Sequence, residues 1–493
     1  MNMVQHILKG FQRVMEITLH SLEKEMNFQE FEEKLWEIMN GLGKDILKAV
    51  LEARDQEICQ EKERRFTWEV VRKNNSRTIL TLFGDVTYRR TSYRNKSTGE
   101  YLHLLDEQAG FKKRRRIDPL LEALIVEKAI DCSYQKAGRE ILSEHQEKAV
   151  SPEVVKRLIH NLRKEEAGEE DLLETGKNPI RKKCCEYLFV EADEDHVPWQ
   201  RKRKENINQR GERKKRKKKR LLAKLVYVHE GKETLNSGRV QLKNPHYFAG
   251  LYEDTEDLFY EVLDYLEKHY DLNGVNGIFL CGDGAPWIKK GLDILPRSLF
   301  VLDRFHLVKR LKGALHHNAV LEKKLLKALK EASWEKVQEI LLNALSQSRD
   351  SQERKKREDL LTYLTNNWDG ILNSNRYKEL ELAVSAEGHV SHVLSARLSH
   401  RPMGWGKKGA DHMSYLRALK FNRCSVKNVY LRMHQQELPA FTLSLKSIQK
   451  EKETGKNFIQ EIYGNIPILK GPVDTLRLTI KALTQEMSWV PGI

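Results

Sequence analysis

Three acidic residues combine useful chemistry with an informative position in the sequence. Asp193 follows the apolar run 186–192, Asp283 stands between two glycines after another apolar run, and Glu387 comes late in the chain. Phosphodiester chemistry with two Mg²⁺ (or Mn²⁺) ions about 4 Å apart needs a few carboxylates fixed on rigid elements. An aspartate at the end of an apolar strand is costly unless it is paired or binds a metal. We therefore expect Asp193, Asp283 and Glu387 to form a catalytic metal site.

Three more residues compete with this set or add to it. Asp195 shares one strand face with Glu191 and Asp193, because side chains alternate along a strand. Asp193 is the preferred ligand because it follows the apolar run directly. Asp303 ends a further apolar run and His306 follows three residues later, so His306 is expected to orient a substrate phosphate or to bond Asp303. Alternatively, Asp303 caps the helix that follows it.

The elements that must position these residues indicate an α/β fold. Apolar runs predict strands at 186–193, 220–229, 277–284 and 298–303, with a further strand opening at 239–242. Helical spacing predicts helices at 256–269, from Trp287, and from Phe305 to about Leu372. Antiparallel strands first, then strands that alternate with helices, is the order expected of a ribonuclease H-like sheet with a helical insertion.

The N-terminal part of the chain has a different pattern. Helical spacing extends from Met3 to about Lys73, and β-like runs then cover 78–83 and 86–94 around Gly84-Asp85. This predicts helices followed by a β-hairpin whose second strand is basic and aromatic. The hairpin is either a surface for DNA phosphates or a small structural sheet.

Residues 118–164 are again helical. Asp118-Pro119 and Ser151-Pro152 are start signals, with the first residue as N-cap and proline in the first turn. Two short helices with a polar break between them predict either a helix-turn-helix or an ordinary helical hairpin. In the first case Lys156, Arg157 and Arg163 would contact DNA.

Several of these motifs resemble bacterial insertion-sequence DDE transposases related to the Mutator-like superfamily, a group partly catalogued as uncharacterised proteins. The resemblance rests on Asp193, on Gly-Asp-Gly-Ala-x-Trp-Ile around Asp283, on Asp-x-x-His at 303 and 306, and on the late Glu387. It implies a DNA transposase that cuts element ends and joins them to target DNA, with Asp193, Asp283 and Glu387 binding metal. It also implies double-stranded DNA as partner. A homodimer or higher oligomer is expected because two ends must be held together.

The resemblance covers nearly the whole chain and gives the expected domain order. We expect an N-terminal helical region (1–75), a β-hairpin segment (76–117), a helix-turn-helix-like region (118–167), the first part of the catalytic core (184–306), a helical insertion (307–380) and the end of the core with its C-terminal segment (381–493).

Two basic segments outside the metal site are candidate DNA contacts. The run 213–220 carries Arg213, Lys214, Lys215 and Arg216, and its like charges predict a solvated loop. A Gly-rich segment supplies Arg401, Trp405, Lys407 and Lys408. Trp405 is expected either to stack on an unpaired base or to anchor the core.

The composition agrees with a polyanion as partner. The 493 residues include 87 Lys and Arg against 71 Asp and Glu, a formal charge of +16. Hydrophobic residues make up 40%, which is too many for a disordered basic protein. No apolar run is long enough to span a bilayer, and no signal peptide or C-x-x-C pair is evident. We expect a cytoplasmic, nucleoid-associated bacterial protein without membrane contact.

Overall fold

The computed structural model describes most of the chain, and the described residues are 3–23, 26–141, 149–162, 182–200, 219–234, 238, 240–315, 318–348, 350–380, 382, 385–401, 403–434, 444, 448–449, 452–453 and 457. The chain divides into two compact units. Unit 1 comprises Met1–Leu124, Arg139–Ala149 and His434–Ile493, and unit 2 comprises Ile125–Gly138 and Val150–Met433. No helix within the described ranges has the length and apolar character that crossing a bilayer requires.

Unit 1 contains a pair of long helices and a β-hairpin. Its elements in chain order are α1 (Met3–Glu23), α2 (Phe28–Gln60), α3 (Arg64–Thr67), β1 (Trp68–Thr81), β2 (Gly84–Asn95), β3 (Tyr101–Leu102) and α4 (Leu104–Gln108). β1 and β2 pair antiparallel, and Thr81 opposite Gly84 closes the hairpin. The hairpin therefore lies where the sequence predicts it.

The first strand of the hairpin is longer than predicted. The expectation of helix to about Lys73 is wrong, because β1 begins at Trp68 and Glu69 already pairs with Arg94 of β2. The polar residues of this stretch fit a helix locally. Pairing with the twelve-residue β2 satisfies their backbone groups instead, while most of their side chains stay exposed.

The aromatic residues of β2 are structural. Tyr88 and Tyr93 are fully buried in a core that also contains Ile58 of α2 and Ile79 of β1. Tyr88 donates a hydrogen bond to the buried Asp106 (2.8 Å). Of the two alternatives for this hairpin, the burial of its tyrosines favours the structural sheet.

Three short helices follow, α5 (Pro119–Ala129), α6 (Tyr134–Glu140) and α7 (Pro152–His160). The Asp118 side chain accepts the backbone N–H groups of Leu120 and Leu121, so the predicted cap of α5 is present. Gly138 lies so close to Val150 that an added Cβ would be 2.1 Å from the Val150 carbonyl oxygen. The lack of a side chain at this position permits the two segments to meet.

The rest of unit 2 is a mixed α/β fold with helices around a central sheet. Its strands are β4 (Tyr187–Pro198), β5 (Arg220–His229), β6 (Lys232–Thr234), β7 (Val240–Leu242), β8 (His246–Gly250), β9 (Gly277–Gly282) and β10 (Ser298–Leu302). Its helices are α8 (Thr255–His269), α9 (Pro286–Lys289), α10 (Gly291–Ile294), α11 (Arg304–Leu315), α12 (Ala319–Lys330), α13 (Trp334–Ser346), α14 (Ser351–Asn366), α15 (Trp368–Arg376), α16 (Ala386–Val390), α17 (Ala396–Leu398), α18 (Lys407–Phe421) and α19 (Val426–His434). A π-helical segment, Ser391–Ser395, joins α16 to α17.

The central sheet has five strands in the order β10-β9-β4-β5-β8. β4, β5 and β8 are antiparallel neighbours, whereas β4, β9 and β10 are parallel. The predicted third strand at 239–242 is corrected, because β7 pairs only with β6 in a separate two-stranded sheet. β8 takes the third antiparallel position.

The two faces of the sheet differ in what covers them. Even-numbered residues of β4, such as Leu188 and Val190, pack in a large core with α8 and the helices α11–α15. Odd-numbered residues begin as an apolar row, with Phe189 packed beside Phe279 and Val301. Further along each strand this second face becomes acidic.

Candidate metal centre

The pairing register brings three aspartates to one level of the sheet. Glu191 pairs with Cys281, and Cys281 pairs with Val301. Each of these residues is followed two positions later by an aspartate, Asp193, Asp283 or Asp303. Because side chains two residues apart share a face and neighbouring strands lie about 4.8 Å apart, the three aspartates converge beyond the ends of the parallel pairing.

Asp193 occupies the middle of β4. The expectation that it ends the strand is wrong, because β4 continues to Pro198 by pairing with β5, with Asp193 opposite Leu225 and Asp195 opposite Ala223. The Asp193 side chain is nonetheless mostly buried, and one of its oxygens accepts the backbone N–H of Glu194 (2.8 Å).

His306 lies at the centre of the acidic cluster. It belongs to the first turn of α11, and its Nε2 atom is 4.0 Å from Asp193 Oδ2, 3.7 Å from Asp303 Oδ2 and 3.7 Å from Glu387 Oε2. Asp303 also accepts the Phe305 backbone N–H (2.7 Å), so it caps α11 while facing His306. Both predicted roles of Asp303 are compatible in this geometry.

Glu387 is the exposed member of the cluster, with 58% of its side chain accessible. It lies in the first turn of α16, directly after Ser385-Ala386. Ligand atoms of Asp193, His306 and Glu387 all lie within 4.8 Å of one another. Side chains from β4, α11 and α16 thus meet at one point.

Glu191 anchors the start of α16, a role that the sequence analysis did not assign. Its buried carboxylate accepts the Ser385 backbone N–H (2.7 Å), the Tyr227 hydroxyl (2.5 Å) and a bond with His229 Nε2 (3.0 Å). Although burial opposes ionisation, these bonds hold the pKa of Glu191 below its ordinary value. Alternation along β4 was the only sequence signal that pointed to this residue.

Negative charge in the cluster is poorly compensated. Burial raises the pKa of Asp193 to about 7, and the charges of Glu387, Asp283 and Asp303 add to the rise. Burial also raises the pKa of Asp303. No Lys or Arg pairs with Asp193, Asp303 or Glu387 within the described ranges.

These residues fit a divalent cation. The buried Nε2 of His306 has no hydrogen-bond partner, although three carboxylates surround it at 3.7–4.0 Å. Carboxylate oxygens are the preferred ligands of Mg²⁺ and Mn²⁺, and imidazole suits several first-row metals. A cation among Asp193, Asp303, His306 and Glu387 would relieve the repulsion and engage the unpartnered nitrogen.

Asp195 and Asp283 differ from that group in their surroundings. The Asp195 carboxylate is buried and its Oδ2 has no partner, but the ion pairs of the described residues do not join it to His306. Asp283 Oδ1 accepts the Ala285 backbone N–H (2.8 Å), so it shapes the turn after β9. Its charge still acts on Asp193.

The helical insertion supports the Asp283 turn. Tyr363 of α14 donates a hydrogen bond to the Asp283 carbonyl (2.8 Å). Gly284 has φ +86°, and a Cβ there would come within 2.3 Å of Asn367 Oδ1. On the other side, Trp287 Nε1 donates to Glu194 Oε2 (2.6 Å). Glycine is therefore required at 284, and the insertion helps to position the turn.

Trp405 is a core residue. Its indole is 5% exposed, its Nε1 donates to the Leu398 carbonyl, and its ring packs edge-on against Tyr134 and under Arg397. This burial corrects the expectation that Trp405 contacts DNA. Arg397, which packs over this ring, is 2% exposed and donates to the Ala129 carbonyl.

The other candidate DNA contacts that the structure describes lie on the surface. Lys156 and Arg157 are exposed on α7, whose opposite side buries Val155 and Leu158. Arg401, Lys407 and Lys408 are also exposed. The remaining candidates, Arg163, Arg213, Lys214, Lys215 and Arg216, lie outside the described residues.

Comparison with known proteins identifies a family. Residues 21–437 match UPF0236, an uncharacterised protein family. A UPF0236 protein of Caldanaerobacter subterraneus subsp. tengcongensis is 33% identical over 482 residues, covering 97% of both chains. A second relative from this bacterium is 32% identical over 97% of both chains. Its name combines eleven locus designations. A chain of the solved Drosophila P element transposase strand transfer complex aligns with 64% of this chain, and the alignment covers 82% of that chain. The two sequences are 12% identical and the TM-score is 0.22, which is too low for any argument about fold or function.

Proposed function

We propose that this chain, which belongs to the uncharacterised protein family UPF0236, is a DNA transposase that cleaves element ends and joins them to target DNA. The observation that carries the proposal is the convergence of Asp193, Asp303 and Glu387 on the unpartnered Nε2 of His306. When bound there, Mg²⁺ or Mn²⁺ would supply Lewis-acid polarisation of the phosphodiester.

Each residue of the chain has a distinct task in this proposal. Asp193 and Asp303 are mostly buried and would supply fixed oxygen ligands to the cation, and the exposed Glu387 would supply a further ligand from α16. Asp283 adds negative charge from the neighbouring strand end. His306 either binds the cation or donates a hydrogen bond to a phosphate oxygen. Fixing these groups on strands and helix starts keeps them in place before DNA arrives.

The strand order supports a ribonuclease H-like core. Three antiparallel strands come first along the chain, and two parallel strands then extend the sheet on the other side of β4. The order of antiparallel strands before parallel ones agrees with the sequence pattern, although β8 takes the position predicted for the strand at 239–242. Asp193 lies in the central strand β4, Asp283 and Asp303 directly follow β9 and β10, and Glu387 lies in the late helix α16.

The names of the relatives support mobility of the gene. The name of one relative combines four locus designations of a single bacterium, and the name of another combines eleven. Movement of an element that leaves copies behind produces such a set of near-identical loci. We infer that the family's genes multiply within genomes, which a transposase would explain.

The decisive experiment is cleavage and joining in vitro. A labelled duplex that carries the boundary of the chain's own genetic element is incubated with Mg²⁺ and either the parent protein or Asp193→Asn. The proposal expects the parent to cut the boundary and join it to a second duplex, while the variant binds DNA and does neither. Cutting without joining would indicate a hydrolytic nuclease. Equal activity of the two proteins would refute the assignment of Asp193, and binding without any cutting would favour a DNA-binding regulator.

A further inference from the structure

A basic turn in unit 1 is held rigidly on the β-hairpin. Residues 112–116 read Lys-Lys-Arg-Arg-Arg, and the Arg115 backbone N–H bonds to the Lys112 carbonyl (3.1 Å) to close the turn. Arg77 of β1 donates to the carbonyls of both Lys112 (3.1 Å) and Arg115 (2.8 Å). The guanidinium of one strand residue therefore fixes the inner side of the turn.

The chain leaving the turn is also pinned. The Leu80 backbone N–H donates to the Arg116 carbonyl (2.7 Å), and the Asp118 N–H donates to the Leu80 carbonyl (3.0 Å). Ile117 thereby forms a parallel bridge with Leu80 at the open edge of β1. This pairing fixes the position of Arg116 relative to the sheet, unlike a solvated loop of like charges.

The side chains of this turn fall into two classes. Arg115 is partly buried and pairs with Glu122 (2.9 Å), so it is structural. Lys113, Arg114 and Arg116 are exposed, and none of them has an acidic partner in the part of the chain that the structure describes. Arg114 has φ +63°, a conformation that costs energy for a residue with a side chain.

Among the described residues, no carboxylate forms an ion pair with the three exposed cations of the turn. Asp106, the buried acid beneath it, already accepts Arg77 (2.6 Å), Arg90 and the Tyr88 hydroxyl (2.8 Å). Burial lowers the pKa of His103 to about 4, and the positive charges of Arg90, Arg77 and Lys113 add to the fall. Held together on an ordered scaffold, like charges repel, and a polyanion relieves that repulsion.

We propose that Lys113, Arg114 and Arg116 form a surface that grips the phosphate backbone of double-stranded DNA without reading its bases. The identity of the polyanion rests on the proposed function, since a basic surface alone does not distinguish duplex DNA from RNA or an anionic membrane. The surface lies in unit 1 and supplies affinity, while the metal centre in unit 2 supplies chemistry.

The test is the salt dependence of duplex binding by the full-length protein in EDTA. The probe is a fluorescein-labelled duplex of random sequence, and the variant is the triple change Lys113→Gln, Arg114→Gln, Arg116→Gln. Each lost phosphate contact lowers the slope of log affinity against log salt by about 0.9, so we expect a slope smaller by about 2 to 3. Binding at 150 mM salt should weaken by at least about tenfold.

Two control variants separate this surface from general charge and from misfolding. Lys323→Gln, Lys324→Gln, Lys330→Gln removes the same charge from exposed positions of α12 and should bind like the parent. The charge-preserving variant Lys113→Arg, Arg114→Lys, Arg116→Lys should restore parental binding.

Each outcome bears on the proposal. If the triple Gln variant binds duplex DNA with the parental affinity and salt slope, the proposal is wrong. It is also wrong if this variant keeps duplex binding but loses binding to single-stranded RNA or to anionic phosphatidylserine vesicles. The binding assay needs no metal. A parent protein that binds duplex DNA but never cleaves it would therefore contradict the proposed enzymatic function without contradicting the proposed DNA-binding surface.

Discussion

At the residue scale, neighbouring carboxylates on one strand face have different partners. Asp193 faces His306 and Glu387, whereas Asp195 lies two positions along β4 with an unpartnered oxygen and no ion pair to His306 among the described residues. Glu191, two positions before Asp193, is bonded on both oxygens and holds the segment before Glu387. Alternation along β4 places the three residues on one face, and contacts distant in sequence determine their different partners.

We predict that Asp193→Asn abolishes stabilisation of the protein by Mn²⁺, while Asp195→Asn retains it. A cation that binds only the folded state stabilises it by about 2.7 kcal/mol at a hundredfold excess over its Kd. Thermal unfolding with and without Mn²⁺ measures this gain for the parent and both variants. If Asp195→Asn loses the gain and Asp193→Asn keeps it, the ligand assignment on β4 is reversed.

We predict that Glu191→Gln weakens Mn²⁺ binding about tenfold, because a residue that orients a ligand tunes the site without touching the metal. The loss of a charged acceptor should also lower the free energy of unfolding by about 1–3 kcal/mol. Glu230→Gln is the matched control, since Glu230 accepts Lys183, Asn244 and Tyr270 elsewhere in unit 2. Calorimetric Mn²⁺ titration should show a loss of affinity only for Glu191→Gln, and equal losses would assign Glu191 a purely structural role.

At the element scale, the helices that follow α11 support the turn after β9. Tyr363 bonds the Asp283 carbonyl, and Asn367 fills the space beside Gly284. α15 packs on β10 in the same way, since Asn373 donates to the Phe300 carbonyl (2.8 Å). The insertion is thus part of the scaffold that fixes the acidic residues.

We predict that Gly284→Ala destabilises unit 2 and reduces cleavage. A side chain at φ +86° costs about 1–2 kcal/mol and would collide with Asn367, which displaces the Asp283 turn. Gly313→Ala in α11 is the control, because a Cβ there meets nothing within 4 Å and should stabilise the helix by about 0.5–1 kcal/mol. Urea unfolding compares the two, and a neutral Gly284→Ala would contradict the tight packing of the turn.

The edge strand β8 gives a prediction about pH. The His246 ring stacks on the Tyr265 ring, with 4.0 Å between the ring centroids. The Asn422 amide nitrogen lies 3.3 Å from His246 Nε2 and donates a hydrogen bond to it when the His246 ring is neutral. Burial lowers the pKa of His246 from 6.5 to about 3, and the nearby His269 adds to the fall. At a pH between these two pKa values, His246 binds a proton in the unfolded chain but not in the folded chain. The free energy of unfolding therefore falls as pH falls, by up to about 1.4 kcal/mol per pH unit.

Urea unfolding between pH 7 and pH 4 measures this dependence. His246→Phe keeps an aromatic ring in the stack and removes the titrating group, so its stability should fall less steeply with decreasing pH than that of the parent. Parallel curves for the two proteins would show that His246 does not remain neutral in the folded state.

At the scale of the whole molecule, periodic apolar runs were enough to predict the main strands and the helical insertion. β5 coincides with its predicted range, and β9 and β10 end directly before the aspartates that the pattern singled out. Contacts distant in sequence could not be predicted. The length of β4 depends on β5, the strand at Trp68 depends on β2, and Trp405 is buried by Tyr134 and Arg397. Local composition at these positions is equally compatible with a loop, a helix or an exposed ring.

In the proposed function the two units of the chain have different tasks. The basic turn at 112–116 lies in unit 1, and the acidic cluster lies in unit 2. The formal charge of +16 therefore coexists with a site of strong negative charge. In the proposed function the basic surface would draw DNA in, and a bound cation would let a phosphodiester approach the carboxylates.

The most direct test of the central claim is mobility in a bacterial cell. A plasmid carries a resistance marker between the boundaries of the chain's own element, and the protein is supplied separately as parent or Asp193→Asn. The account predicts that the marker is recovered at new chromosomal loci with the parent and only at background frequency with Asp193→Asn at equal protein level. Equal recovery with both proteins, or no movement with either, would contradict the assignment of a metal-dependent transposase to this site.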